Sequence, residues 1–431
     1  MNMIKPKDRD VIVTALRAGV VPRAGQHLIQ VGRAKEVEVM LRDIERIGEG
    51  GAIFRIVIGE YGAGKTFFLN LVRAIAMQQK LVTAHADLNP DRRLQGSGGQ
   101  ARSLFAELMK NLSTRAKPEG GAVGGVVEKF VAQARVDSKA QGMPLEQLIR
   151  ARLEPLTEMV GGFDFAEVIA TYARAFEEGN DVLQADSIRW MRGEFTTKTE
   201  ARAALGVRNI IDDDQTYDYL KLFARFLRIV GFGGLLVCLD ELVNLYKLAN
   251  RQGRDNNYEQ ILRILNDILQ GSTEGIGFLL GGTPEFLLDS RRGLYSYPAL
   301  QSRLAENTFS VQSGLVDYSG PVLRLTSLTP EDFYVLLQKL RHVFAFGDTA
   351  KYLLPDEGIE AYMAHTAKRL GETYFRTPRT TITAFLGLLA LLEQHPGTDW
   401  RPMVGGVRIE ADNGAAAEKA VESDELATFK L

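Results

Sequence analysis

The sequence is poor in cysteine, in net charge and in long apolar runs. One cysteine, Cys238, in 431 residues excludes a disulfide framework and a cysteine-rich zinc site, and fits a reducing compartment. The formal net charge is −2, so no global positive field draws in nucleic acid, and such contact would need local patches. No apolar run approaches the roughly 20 residues that span a bilayer. The start, "MNMIKPKDRDVIVTALRAG", is charged early and has no long apolar stretch, so no signal peptide is predicted. The five histidines show no metal-ligand spacing. Internal repeats and low-complexity domains are missing too. These absences predict a cytoplasmic protein with no membrane segment. The hydrophobic share, 45%, is enough for sizeable cores and excludes wholesale disorder.

What is present alternates. "RDVIVTALRAGVVP" predicts a short amphipathic helix stopped at Gly19 and Pro22. "GRAKEVEVMLRDIERIGEGG" predicts a second, with Val37, Met40, Leu41, Ile44 and Ile47 on one face. "AIFRIVIG" is apolar and β-branched, as a strand buried on both faces would be. Further strands are predicted at "LVTAHADL", "LLVCLDEL" and "GIGFLLGGT", with "VLRLTSL" a fifth strand or a connector. Helical patterns separate them, so the fold class is α/β, a parallel five-stranded sheet flanked by helices. A helical block from about 115 to 206 interrupts the alternation and is too long for a plain loop. From Thr329 onward the pattern is helical only, and the Ala/Gly/acid-rich tail is predicted to be partly mobile.

Residues Gly59-Glu60-Tyr61-Gly62-Ala63-Gly64-Lys65-Thr66, followed by Phe67, fit G-x-x-x-x-G-K-[ST] without a mismatch. Backbone N–H groups converge on an anion only in a tight loop without side-chain bulk, hence the glycines. Lys65 is placed to reach the β- and γ-phosphates, and Thr66 to bind Mg²⁺. A strand before and a helix after supply the context this motif needs. "LLVCLDE" sets Asp240 and Glu241 at a strand end, where an aspartate can hold Mg²⁺ and a glutamate can polarise the attacking water. An ordinary acid pair capping the next helix is the bland alternative.

Thr283, in "GFLLGGTPEF", follows another apolar strand, and ligands sit at strand carboxyl ends. It is a candidate for the γ-phosphate or the attacking water, against a simple Thr-Pro turn. Arg303, in "YPALQSRLAE", is a candidate to stabilise charge at a neighbour's γ-phosphate, with Arg291 and Arg292 as rivals. Arg376 and Arg379, in "GETYFRTPRTTITAF", could reach the phosphates from the last helical block, and Arg379 is the favoured one. In "SIRWMRGEFTTKTEARAALGVRN", Arg189, Arg192, Lys198, Arg202 and Arg208 outnumber Glu194 and Glu200. This reads either as a solvated helical face or as half of a helix-turn-helix.

The ordered set resembles an AAA+ ATPase of the origin-recognition and transposition-regulator kind. "VGRAKEVEVML" resembles the box that covers the adenine there, which brings in Arg33. "TPRTTI" resembles the second sensor motif. A closer resemblance, through "FRIVIGEYGAGKTFFL", "WMRGE", "GLLVCLDELVNLYKL" and "GTPEFLLDSRRGLYSYPALQSRL", is to BREX-associated ATP-binding proteins of the BrxD type. That resemblance implies ATP and Mg²⁺ as cofactors and ATP hydrolysis as the activity. It implies a bacterial anti-phage setting, DNA as a partner, and a Lhr-like helicase or other defence-island protein nearby. An arginine supplied in trans requires a neighbour, so a homo-oligomer whose ATP site is completed in trans is expected. The domains then run 1–31 as N-terminal helix and linker, 32–325 as AAA+ core, 326–397 as helical lid and 398–431 as tail. Two other functions fit less of the pattern: a scaffold ATPase that signals to proteins without touching DNA, and a small-molecule kinase. The kinase is disfavoured by the strand-end acids, Ser-Arg-Leu and the helical lid.

Overall fold

The structure, a computed structural model, describes residues 3–313, 315–370 and 378–406. The strands are β1 (Ala52–Ile58), β2 (Val82–Asp87), β3 (Leu235–Asp240), β4 (Ile276–Gly282) and β5 (Val322–Arg324). They form one sheet in the order β2-β3-β4-β1-β5. β2–β3, β3–β4 and β4–β1 pair in parallel. β5 joins the open edge of β1, where the Ile56 amide donates to Pro321 O at 2.8 Å. The predicted α/β class and strand number hold, including the short fifth strand.

Burial follows position in the sheet. β1, β3 and β4 are buried at every residue, and apart from Arg55 in β1 and Asp240 at the end of β3 they read as apolar runs. The outer strand β2 is not left open. Thr83 and Ser113 exchange backbone hydrogen bonds at 3.0 and 2.7 Å and cover part of its edge.

The chain divides into two compact units. The second contains residues 35–58 and 72–323. It holds the sheet and the long helical block between β2 and β3, with helices Val123–Gln141, Leu145–Thr157, Gly162–Glu178, Asp181–Met191 and Lys198–Leu205. Sheet and block share one apolar core. Its aromatic members interlock edge to face: Phe165 meets Phe223 at 5.1 Å and Phe226 at 5.3 Å, and Phe226 meets Phe130 at 5.4 Å.

The first unit contains residues 1–34, 59–71 and 324–431. Its described helices include Pro6–Arg17, Pro330–Phe344, Asp356–Leu370, Pro378–Gln394 and Trp400–Gly406. Ile12 and Val13 of the first helix join Phe333, Leu337, Phe385 and Leu389 in its own apolar core. Thr329 starts the helix Pro330–Phe344 with a reciprocal cap: its hydroxyl accepts from the Asp332 amide, and the Asp332 carboxylate accepts from the Thr329 amide. The end of the tail, 407–431, lies outside the described residues. No described helix is long and apolar enough to cross a membrane.

Candidate functional site

The phosphate loop begins where β1 ends. Gly62 and Gly64 take φ of 80° and 82°, a backbone that side chains with a Cβ adopt at a cost. A tight run of this kind turns successive amides to one side, as an anion cradle requires. Lys65 Nζ donates to its own loop, to Gly59 O at 2.8 Å and Glu60 O at 3.0 Å. Those bonds hold its cation over the loop. The helix Lys65–Gln78 follows, with its first hydroxyl, on Thr66, exposed. The Phe67 side chain packs against the apolar core of its unit.

Arg33 joins this loop from the N-terminal side. Its Nη2 donates to Ala63 O at 2.9 Å and to Thr326 O at 2.6 Å, and its backbone is left-handed at φ 57°. The arginine ties the loop backbone to the segment that follows β5. Arg379 reaches the loop as well, with Nη1 3.4 Å from the Tyr61 hydroxyl. Arg376 lies outside the described residues.

Asp240 and Glu241 stand at the end of β3, in the unit that holds the sheet. Asp240 is buried, and its Oδ1 accepts from the Glu241 amide at 2.9 Å. Glu241 is exposed and left-handed, at φ 59°. The turn is locked on both sides, since the Leu242 amide donates to Gly281 O at 3.1 Å and Asn244 Nδ2 to Leu88 O at 2.7 Å. Parallel register puts Ile58 opposite Gly282 and Leu239 opposite Leu280. β1, β3 and β4 therefore end along one edge of the sheet, and Thr283 is the next residue after β4. The Thr283 hydroxyl is half-buried and accepts from the Phe286 amide at 3.4 Å, capping the helix Pro284–Leu288. Its proton is still available to donate.

Asp87, which sequence reasoning missed, ends β2 directly opposite Asp240. The residue as a whole is exposed, yet loss of water around its carboxyl is the first cause of an upward pKa shift. The Asp240 charge is the second cause, while Arg92 and Arg73 pull the other way. An acid ending an apolar strand was the available signal, the same one that marked Asp240. Among the described residues no group of three or more His, Cys, Asp or Glu could hold a metal alone.

The remaining arginines separate. Arg303 is exposed on the helix Pro298–Leu304, with Nη1 donating to Ala299 O at 2.9 Å. Arg292 is turned inward, donating to Tyr246 O and Leu248 O at 3.2 and 3.3 Å and lying over the Tyr246 ring. Arg291 is exposed. In the basic stretch, Arg189 pairs with Asp186 at 2.8 Å and Glu200 at 3.1 Å and stacks on Phe195. Arg192 pairs with Glu194 at 3.8 Å. Lys198, Arg202 and Arg208, three of the five basic residues, are exposed. Thr197 caps the helix Lys198–Leu205, and Gly206 stops it in a left-handed turn.

Compared with known families, residues 4–408 match the family described as BREX system ATP-binding protein BrxC/D. No curated protein matches the chain.

Proposed function

The chain belongs to the BREX system ATP-binding protein BrxC/D family, and from that premise we propose that it hydrolyses ATP as an oligomeric switch. As a member it is an ATP-binding protein of a BREX anti-phage system. One observation carries the step from binding to hydrolysis. A phosphate loop, an Asp-Glu pair and a threonine each follow a strand that ends on the same edge of one sheet. That edge is where open α/β sheets place their ligands.

In this reading the Gly59–Thr66 loop and Lys65 take the phosphates. Thr66 and Asp240 are the candidate holders of Mg²⁺, which when bound supplies charge neutralisation at the phosphates. Glu241 orients and polarises the attacking water, and Thr283 can donate to that water or to a phosphate oxygen. Arg379 answers to the presence of the terminal phosphate. Arg303, exposed and with no acid paired to it within its own helix, suits delivery to the site of a second copy. DNA and a helicase-type partner remain part of the proposal through the family resemblance, and exposed Lys198, Arg202 and Arg208 offer cations to DNA phosphates.

A scaffold ATPase that never touches DNA is the second reading. The local pairing of Arg189 and Arg192, together with the net charge of −2, favours it. DNA binding measured against salt separates the two. A steep fall in affinity with rising salt supports the DNA switch. No binding at low salt with ATP present leaves the scaffold. The hydrolysis step itself is tested by phosphate release from Mg²⁺-ATP without any acceptor: none from wild type ends the ATPase reading, and acceptor-dependent turnover would indicate a kinase.

A further inference from the structure

We propose that the first helix, Pro6–Arg17, together with Gly19 behind it, is a positioning element of the nucleotide site: it holds Arg379 against the phosphate loop. The proposal rests on the ATP-switch reading and adds to it a role for the Gly19 carbonyl and the Tyr61 hydroxyl.

Arg379 is the second residue of the helix Pro378–Gln394 and is exposed. A long exposed arginine ordinarily keeps its rotamer freedom, which a ligand must then remove. Here two acceptors fix it. Its Nε donates to Gly19 O, and its Nη1 lies 3.4 Å from the Tyr61 hydroxyl. Gly19 stands at φ 69°, and a Cβ there would come within 2.9 Å of Arg379 Nε. The backbone there favours glycine, and an added Cβ would push the Arg379 guanidinium from its place. Tyr61, in the middle of the phosphate loop and 48% exposed, completes the bracket.

The first helix is itself tied to the helix that carries Arg379. Thr383 Oγ1 donates to Leu16 O at 2.9 Å, and at the far end Arg9 pairs with Glu393 at 3.0 Å. Ile12 and Val13 are buried in the same apolar cluster as Phe385 and Leu389. Two helices joined at both ends and packed between them move together. A guanidinium held this way meets the terminal phosphate with less loss of freedom, and any displacement of Arg379 is passed to the first helix.

The test is a double-mutant cycle on the full chain, read as affinity for a fluorescent, slowly hydrolysed ATP analogue and for ADP. Arg379→Ala and Gly19→Ala should each weaken the triphosphate by about three- to tenfold, the size of one hydrogen-bonded contact. ADP should move less. The double variant should bind no more weakly than Arg379→Ala alone. Tyr61→Phe, which leaves the backbone untouched, should repeat the pattern with a smaller loss, and it decides the matter if Gly19→Ala does not fold. Wild-type affinity in both Gly19→Ala and Tyr61→Phe overturns the proposal. So do losses that multiply in the double variants, or tighter binding, which would mean the two acceptors compete with phosphate. Failure of the ATP-switch reading looks different: wild type does not bind the analogue, or Arg379→Ala binds it normally.

Discussion

The Glu241 amide donates to the Asp240 carboxylate at 2.9 Å, and Glu241 holds a left-handed backbone at φ 59°. A glutamate gains nothing from that conformation, which costs about 1–2 kcal/mol without glycine. Of the four described non-glycine residues with positive φ, two are Glu241 and Arg33, both singled out as site residues. Strain held at such positions points to a geometry kept for chemistry.

Replacing Glu241 by glycine should therefore separate stability from activity. Glu241→Gly is expected to stabilise the fold by up to about 1 kcal/mol, read as a higher denaturant midpoint, while abolishing ATP turnover. Glu241→Gln should abolish turnover without the gain in stability. A Glu241→Gly variant that is less stable than wild type would remove the strain argument.

Asp87 gives a pH-dependent outcome. Its pKa lies above the ordinary 3.8, so the folded protein binds a proton that the unfolded chain has already released. Stability from this group falls as pH rises from about the ordinary value through the raised one, and the penalty is complete above it. Asp87→Asn removes that penalty. Thermal unfolding should show the variant gaining on wild type at pH 7 and losing the advantage near pH 3. Equal differences at both pH values would contradict the assignment.

Arg55 in β1 is a buried charge with a full set of partners. It forms a bidentate pair with Asp43 at 2.7 and 3.1 Å, and donates to Tyr318 O at 3.0 Å and to Gly320 O. It ties the chain leading into β5 to the sheet. Asp43→Ala leaves the guanidinium buried without its counter-charge and should cost about 3–5 kcal/mol in denaturant unfolding. A loss under 1 kcal/mol would show that water replaces the carboxylate.

Much of this was legible before any coordinates. Strands buried on both faces announce themselves as apolar β-branched runs, and the loop and acid pair sit at strand ends where the pattern stops. Less legible was everything set by tertiary contact. Arg33 bonds to the backbone at Ala63 and Thr326, 30 and 293 positions away, and a local motif does not show such partners. Asp87 matters because register sets it opposite Asp240, and register is not written in one strand. The inward turn of Arg292 depends on Tyr246, 46 positions away. The partnership of the first helix with the helix carrying Arg379 spans most of the chain, and periodicity within either helix says nothing of it.

The measurement that bears most directly on the central claim is ATP turnover in a mixture of Arg303→Ala and Glu241→Gln proteins. Each alone should be inactive: the first lacks the arginine offered to a neighbour, the second lacks its own water-orienting acid. Mixed, the intact acid of one copy meets the intact arginine of the other, and turnover should return toward a fraction of wild type that grows with protein concentration. Normal hydrolysis by Arg303→Ala at all concentrations, or a mixture as inactive as its components, would contradict a site completed by a second copy.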